Sequence, residues 1–172
     1  MLITDLNQLP EDEARAIVRV WADVPSWVDD VVAARPFEDL AHLEDVAGRL
    51  AKEWTEQDLD AALSQHPRIG DRVDREGAEG DHSRREQSAM ATAAADIARR
   101  IAGGTARYEE QFGRVFLIRA AGRSPEQILT ELERRLSNDP ETEWREAAFQ
   151  LAQIAQLRLE AAIDDDTTPE AP

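Results

Sequence analysis

Residues 40–54 read Leu40-Ala41-His42-Leu43-Glu44-Asp45-Val46-Ala47-Gly48-Arg49-Leu50-Ala51-Lys52-Glu53-Trp54. Leu40, Leu43, Val46, Ala47, Leu50 and Trp54 recur at three- and four-residue steps, with acids on the other side. That is the apolar stripe of an amphipathic helix facing a core. The same period runs outward from it. Ala14, Ile17, Val18 and Trp21 share a face between Glu11 and Ala22, and Ser26 is expected to cap a short helix that continues to about Ala34. Arg35-Pro36 stops that helix. Thr55 with Asp58 is the start signal of a further helix carrying Leu59, Ala62 and Leu63. It must end near Gln65, because a residue before proline avoids the helical region, and His66 therefore sits at its C-terminal lip.

In the second half, residues 67–82 hold Gly70, Gly77 and Gly80 among charged side chains and read as a mobile surface loop over a pocket. Arg84 to Ile101 is helical by propensity, with Met90, Ala94, Ile97 and Ile101 on one face, and Gly103-Gly104 is expected to close it. A separate helix is expected over 106–111. Val115-Phe116-Leu117-Ile118 is apolar without helical period and is bracketed by Gly113 and Gly122, so it is expected to be extended. With no sheet to join, its backbone groups need other partners, a ligand among them. Ser124-Pro125-Glu126-Gln127 and Asp139-Pro140-Glu141 launch the last two helices. Trp144, Ala148, Leu151, Ile154, Ala155, Leu157 and Ala162 are the core candidates of the final one. The expected fold is an all-α single-domain helical bundle of about eight helices over residues 1–163, with one short extended segment. Residues 164–172 have the composition of a disordered acidic tail.

Composition narrows the partners. The chain has 172 residues, enough for one domain with a core and a pocket. A net charge of −16 argues against nucleic acid and anionic membrane, since phosphate binding needs a basic face. There is no cysteine, which fits a reducing compartment and removes any thiolate metal site. The opening Met-Leu-Ile-Thr-Asp lacks a basic region followed by an apolar run, and no stretch approaches the ~20 apolar residues of a membrane span. A cytoplasmic protein acting on a small molecule is the expectation.

The residues that carry chemistry lie between 66 and 87. His66, its backbone set by Pro67, faces a helix mouth reading Ser83-Arg84-Arg85-Glu86-Gln87. An imidazole titrating near neutrality both accepts and donates a proton at working pH. Ser83 and Glu86 also form the Ser-x-x-Glu capping box, which satisfies free N–H groups at a helix start. The two roles are compatible, and Gln87, which the cap does not need, supplies a donor and an acceptor to a polar substrate. His42, His66 and His82 are spaced by 24 and 16 residues, which matches no short zinc motif, so no metal is expected. A catalytically silent acidic helical module that binds a partner protein through an apolar groove is the alternative, and it needs no His66.

Order and spacing add a resemblance over nearly the whole chain. Leu6-Asn7, Arg35-Pro36-Phe37, His66-Pro67-Arg68-Ile69-Gly70, Glu86-Gln87, Tyr108 with Phe112-Gly113, Arg135-Leu136-Ser137-Asn138, and Ile154 with Arg158-Leu159 together resemble the 2-oxo-4-hydroxy-4-carboxy-5-ureidoimidazoline (OHCU) decarboxylases of urate breakdown. The resemblance implies cofactor-independent loss of carbon dioxide to give (S)-allantoin, with His66 and Glu86 catalytic. It implies substrate contacts from Pro67, Ser83, Arg84, Arg85, Gln87, Phe116, Leu117, Ile118, Arg119, Ala120 and Arg158, and a homodimer. Arg158 is a natural bidentate partner for a carboxylate or carbonyl, whereas Arg68 and Arg72 are weaker candidates. Arg114, Arg119 and Ser88-Ala89 depart from the usual family text at the edge of the pocket.

Overall fold

The computed structural model describes residues 1–64 and 84–164, with side chains described to 64 and from 94 onward. Among these residues are eight helices and no strand: α1 Ile3–Gln8, α2 Glu11–Trp21, α3 Pro25–Ala33, α4 Leu40–Ala51, α5 Glu56–Leu63, α6 Arg84–Phe112, α7 Pro125–Arg135 and α8 Pro140–Ala162. The all-α expectation holds. The described residues gather into two compact units, Met1–Ala62 with Trp144 onward, and Leu63–Glu143.

In the first unit the helices start where local chemistry directs. The Asp39 carboxylate accepts the His42 N–H at 2.7 Å and caps α4. Thr55 and Asp58 bond reciprocally, the Asp58 N–H donating to the Thr55 hydroxyl and the Thr55 N–H to the Asp58 carboxylate, which opens α5 as the sequence suggests. At α3 the expectation fails. Pro25, not Ser26, marks the start: Val24 is the cap residue without a side-chain bond, and Ser26 lies inside the first turn. Proline's missing N–H is one that a first turn leaves unbonded anyway, so no hydroxyl is required.

The core of this unit follows the expected stripes with two adjustments. Leu43, Val46 and Ala47 are buried on α4, whereas Leu40 and Leu50 are half-buried. Trp54 is buried beyond the helix end, stacked edge-on against Trp27 at 5.7 Å, and the Trp27 indole donates to the Ala47 carbonyl at 3.0 Å. On α8 the buried set is Ala147, Leu151, Ala155 and Leu159, with Ile163 just past the helix; Trp144, Ala148, Ile154, Leu157 and Ala162 are only half-buried. The burial stripe runs one residue away from part of the expected one. The short helix α1 escaped the sequence reading because six residues offer only Ile3 and Leu6 to a core.

Side chains of the motif residues tie α1 to the rest. Asn7 donates to the Phe37 carbonyl and accepts the Phe37 N–H, each at 2.8 Å, as a strand neighbour would. Arg35 Nη1 donates to the Leu6 and Leu9 carbonyls at 2.8 Å, satisfying the open end of α1. Asp164, expected to begin the tail, makes a parallel bridge with Leu2, its N–H donating to the Met1 carbonyl at 2.8 Å. Residues 165–172 lie outside the described residues. No described helix is long and apolar enough to cross a membrane.

In the second unit the largest departure is α6. The pair Gly103-Gly104 does not end it; one helix of 29 residues runs through the glycines and includes the stretch expected as a separate helix. The reason is packing rather than capping. A Cβ on Gly104 would stand 2.6 Å from Leu132 Cδ2 of α7, so the missing side chain is a notch for that leucine. Ile97, Ile101, Gly104 and Tyr108 continue one face along α6, and Ile101, Tyr108, Phe116, Ile118, Leu129 and Leu132 form the buried cluster beneath it.

The two glycines are therefore expected to respond oppositely to alanine. Gly103 has open space at its Cβ, and Gly103→Ala is expected to stabilise by about 0.5–1 kcal/mol through helix propensity. Gly104→Ala presses on a fully buried leucine, and an overpacking cost of about 1–3 kcal/mol is expected to outweigh that gain. Urea unfolding of the two variants beside the parent checks the pair.

Candidate active site

Helix α6 stops at Gly113, which takes φ +71° and donates its N–H to the Glu109 carbonyl at 2.9 Å. Arg114 to Ala120 then has no regular secondary structure, and the chain turns at Ala120 to Arg123, with Gly122 at φ +78°. Phe116, Leu117 and Ile118 are buried, Arg119 is half-buried and Ala120 is exposed. The segment packs beside α6. Phe116 packs edge-on against Tyr108 at 5.1 Å, and Ile118 shares its cluster with Ile101.

A segment without a ladder needs partners for its backbone. Leu117 finds one in Arg135: the guanidinium Nη1 donates to its carbonyl at 2.7 Å. Arg135 is the last residue of α7 and only 1% exposed, and its guanidinium carbon lies 4.7 Å from the Phe116 ring centre and 5.7 Å from that of Tyr108. Its charge is met by Glu143, 0% exposed in the first turn of α8. Arg135 donates to Glu143 Oε1 from Nε at 2.9 Å and from Nη2. The Tyr108 hydroxyl donates to the same oxygen, and Asn138 Nδ2 donates to Oε2 at 2.8 Å. Both carboxylate oxygens are thus bonded, which is what makes a buried pair tolerable. Burial pushes the Tyr108 phenol up, against the opposing pull of Arg135, so the hydroxyl keeps its proton and remains a donor.

This cluster joins four pieces of chain: the last turns of α6, the 114–120 segment, the end of α7 and the start of α8. The sequence names Tyr108, Arg135 and Asn138 as motif residues without giving them a role, and it passes over Glu143. A signal was present. Arg135 stands three residues after Leu132, and Glu143 four before Ala147, each in register with an apolar stripe. A charge at a core position on two successive helices is the pattern of a buried pair.

The other expected site residues divide by position. His66, Pro67 and Ser83 lie outside the described residues, as do Arg68, Arg72 and His82. Arg84, Arg85, Glu86 and Gln87 occupy the first turn of α6, which begins one residue after Ser83, where the capping signal puts it. They precede Ile101 on that helix by about four turns. Arg158 lies on α8 in the first unit, and its Nη1 donates to the carbonyls of Val20 and Trp21 at 3.1 and 3.2 Å, closing the C-terminus of α2. Of the histidines, His42 accepts the Glu38 N–H at 3.2 Å and packs edge-on against Phe37.

A family model described as OHCU decarboxylase matches residues 7–160. The 2-oxo-4-hydroxy-4-carboxy-5-ureidoimidazoline decarboxylase of Amia calva is 29% identical over 170 residues, covering 95% of this chain and 97% of that protein. The protein of that name from Haloferax volcanii is 23% identical over 161 residues, covering 92% and 94%. Among solved structures, an OHCU decarboxylase crystallised in the presence of (S)-allantoin superposes with a TM-score of 0.66 at 26% identity, over 83% of this chain and 94% of that one. An (S)-allantoin synthase shares the fold with a TM-score of 0.70 at 18% identity, over 95% of this chain and 54% of that one.

Two predictions follow from the buried cluster. Tyr108 is the sole tyrosine, so tyrosinate absorbance during a pH titration reports on it alone. Its raised folded-state pKa stabilises the fold fully below the ordinary phenol range of about 10 and is lost as pH rises above it. Absorbance is expected to appear only together with loss of helical circular dichroism; ionisation near 10 in a fully helical protein would contradict the cluster. Glu143→Gln leaves the Arg135 charge buried without a counter-charge and is expected to cost about 3–5 kcal/mol in urea unfolding.

Proposed function

The chain belongs to the OHCU decarboxylase family, and we propose that within its site His66, Glu86 and Gln87 form the reacting centre. The reaction is decarboxylation of 2-oxo-4-hydroxy-4-carboxy-5-ureidoimidazoline to allantoin in urate degradation. The match over residues 7–160 carries this reading, because it runs through His66, the head of α6 and the 116–120 segment alike.

The chemistry sets modest demands. The bond between the ring and the carboxylate breaks, and its electron pair passes into the adjacent ring C=N, so the substrate is its own electron sink. The ring nitrogen that receives the pair takes up a proton, the hydroxyl on the carbon that lost carbon dioxide gives up its proton to become a carbonyl, and the ureido-bearing carbon gains one. What remains for the protein is to orient the carboxylate, manage the proton and decide the face on which it arrives. His66 handles the proton near the hydroxyl-bearing carbon. Glu86 orients the substrate at the positive end of α6, where the helix dipole favours a carboxylate. Gln87 reads the ureido group, offering it both a donor and an acceptor. Pro67, Ser83, Arg84, Arg85 and the backbone of Phe116 to Ala120 complete the contacts to the ring and set the product as the S enantiomer.

The working form is a homodimer in the cytoplasm. Phe149 on α8, 60% exposed, offers an apolar contact for such an assembly.

Freshly generated substrate, made from urate by a uricase and a hydroxyisourate hydrolase, provides the test. The protein is expected to speed its decay and to give an optically active product, where buffer alone gives a racemate. His66→Asn is expected to lower kcat by about 10²–10⁴-fold while the protein stays folded. Full activity in that variant would overturn the assignment.

A further inference from the structure

We propose that Arg135, Glu143 and Tyr108 are positioning residues for the decarboxylation, holding the Phe116–Ala120 backbone in the conformation that receives the substrate ring. The proposal rests on the preceding reading, in which that backbone touches substrate.

Three observations carry it. First, residues 115–120 have no helix or strand to fix them, yet Phe116, Leu117 and Ile118 are buried. Something other than secondary structure must hold the segment. Second, the Arg135 guanidinium grips it twice, through a 2.7 Å bond to the Leu117 carbonyl and through the face of the Phe116 ring at 4.7 Å. The fork geometry of a guanidinium allows both grips while its other edge remains on Glu143. Third, the grip is itself braced. Glu143 is held on Oε1 by Tyr108 and on Oε2 by Asn138, and Arg135 cannot swing without breaking its own buried bonds to that carboxylate and to the Leu117 carbonyl.

A pair that served stability alone would be replaceable by apolar side chains of similar volume, often without loss. A pair that aims a backbone segment is not replaceable in that way, because an apolar side chain offers the Leu117 carbonyl no donor. Small displacements of a binding segment are enough to matter for catalysis.

Two conservative variants separate positioning from stability. Arg135→Lys keeps the charge and loses the fork; Tyr108→Phe keeps the ring and removes the brace on Glu143. Each is measured in three ways at a temperature where circular dichroism shows it folded: KM and kcat with freshly generated substrate, hydrogen–deuterium exchange of the amides of 116–120, and exchange across α7 as the internal reference. Expected for both is faster exchange in 116–120 relative to α7, with KM raised roughly tenfold and kcat changed less. If Arg135→Lys does not fold, Tyr108→Phe decides alone. Unchanged exchange in the segment overturns the proposal whatever the activity, and so does a loosened segment with parental KM and kcat. An inactive parent protein would instead sink the reading of function, and with it the substrate clause, while the exchange ratio still decides whether these residues hold the segment.

Discussion

A positive and a negative charge placed side by side out of water organise the second unit. Taking Arg135 and Glu143 from solvent costs several kcal/mol per ion, and their attraction offsets this only when the remaining donors and acceptors are also bonded. That condition accounts for the surroundings. Tyr108 and Asn138 complete the carboxylate, while Leu117 takes a guanidinium N–H and Phe116 covers its face. The pair draws together segments that no periodic backbone bonding would join. An arginine among leucines is therefore the reason an irregular stretch has one shape.

The same device recurs in the first unit, with water nearby and smaller stakes. Asn7 stands in for a strand across from Phe37, Arg35 receives the end of α1, and Arg158 receives the end of α2. In each case a side chain supplies hydrogen bonds that a helix terminus or loop leaves unmade. Several of the motifs that mark the family thus join elements, and only the stretch from His66 to Gln87 is reserved for proton chemistry in the proposed mechanism.

Much of the fold was legible because helices announce themselves twice, by period and by cap. The stripes on α2 and α4 and the start signals at Thr55, Ser124 and Asp139 are where the residues place them. The failures share a cause: a residue with two possible uses. Ser26 has the chemistry of a cap, but Pro25 already begins the helix. Gly103-Gly104 has the pattern of a stop, although glycine also serves where another backbone or side chain comes close, and only the partner Leu132 reveals which use applies. Arg158, a substrate contact by resemblance, has a further use that local pattern does not reveal, its bonds to the end of α2 more than a hundred positions away. Tertiary partners of this kind leave no trace in local pattern. Glu143 is an intermediate case, visible as a charge in register with an apolar stripe but not as the partner of any particular cation.

Gly104 and Leu132 meet one turn before Tyr108 on α6 and just before Arg135 on α7, the two residues that close on Glu143. The distance between packed helix axes is set by the side chains at their point of contact. Here that point is a hydrogen atom against a leucine methyl, which is as near as two helices are brought by such a pair. The notch is a spacer gauge for the electrostatics beyond it. A methyl group at Gly104 would press on Leu132 one turn from the phenol and the guanidinium, so steric tolerance at a glycine bears on the closure of an ion pair.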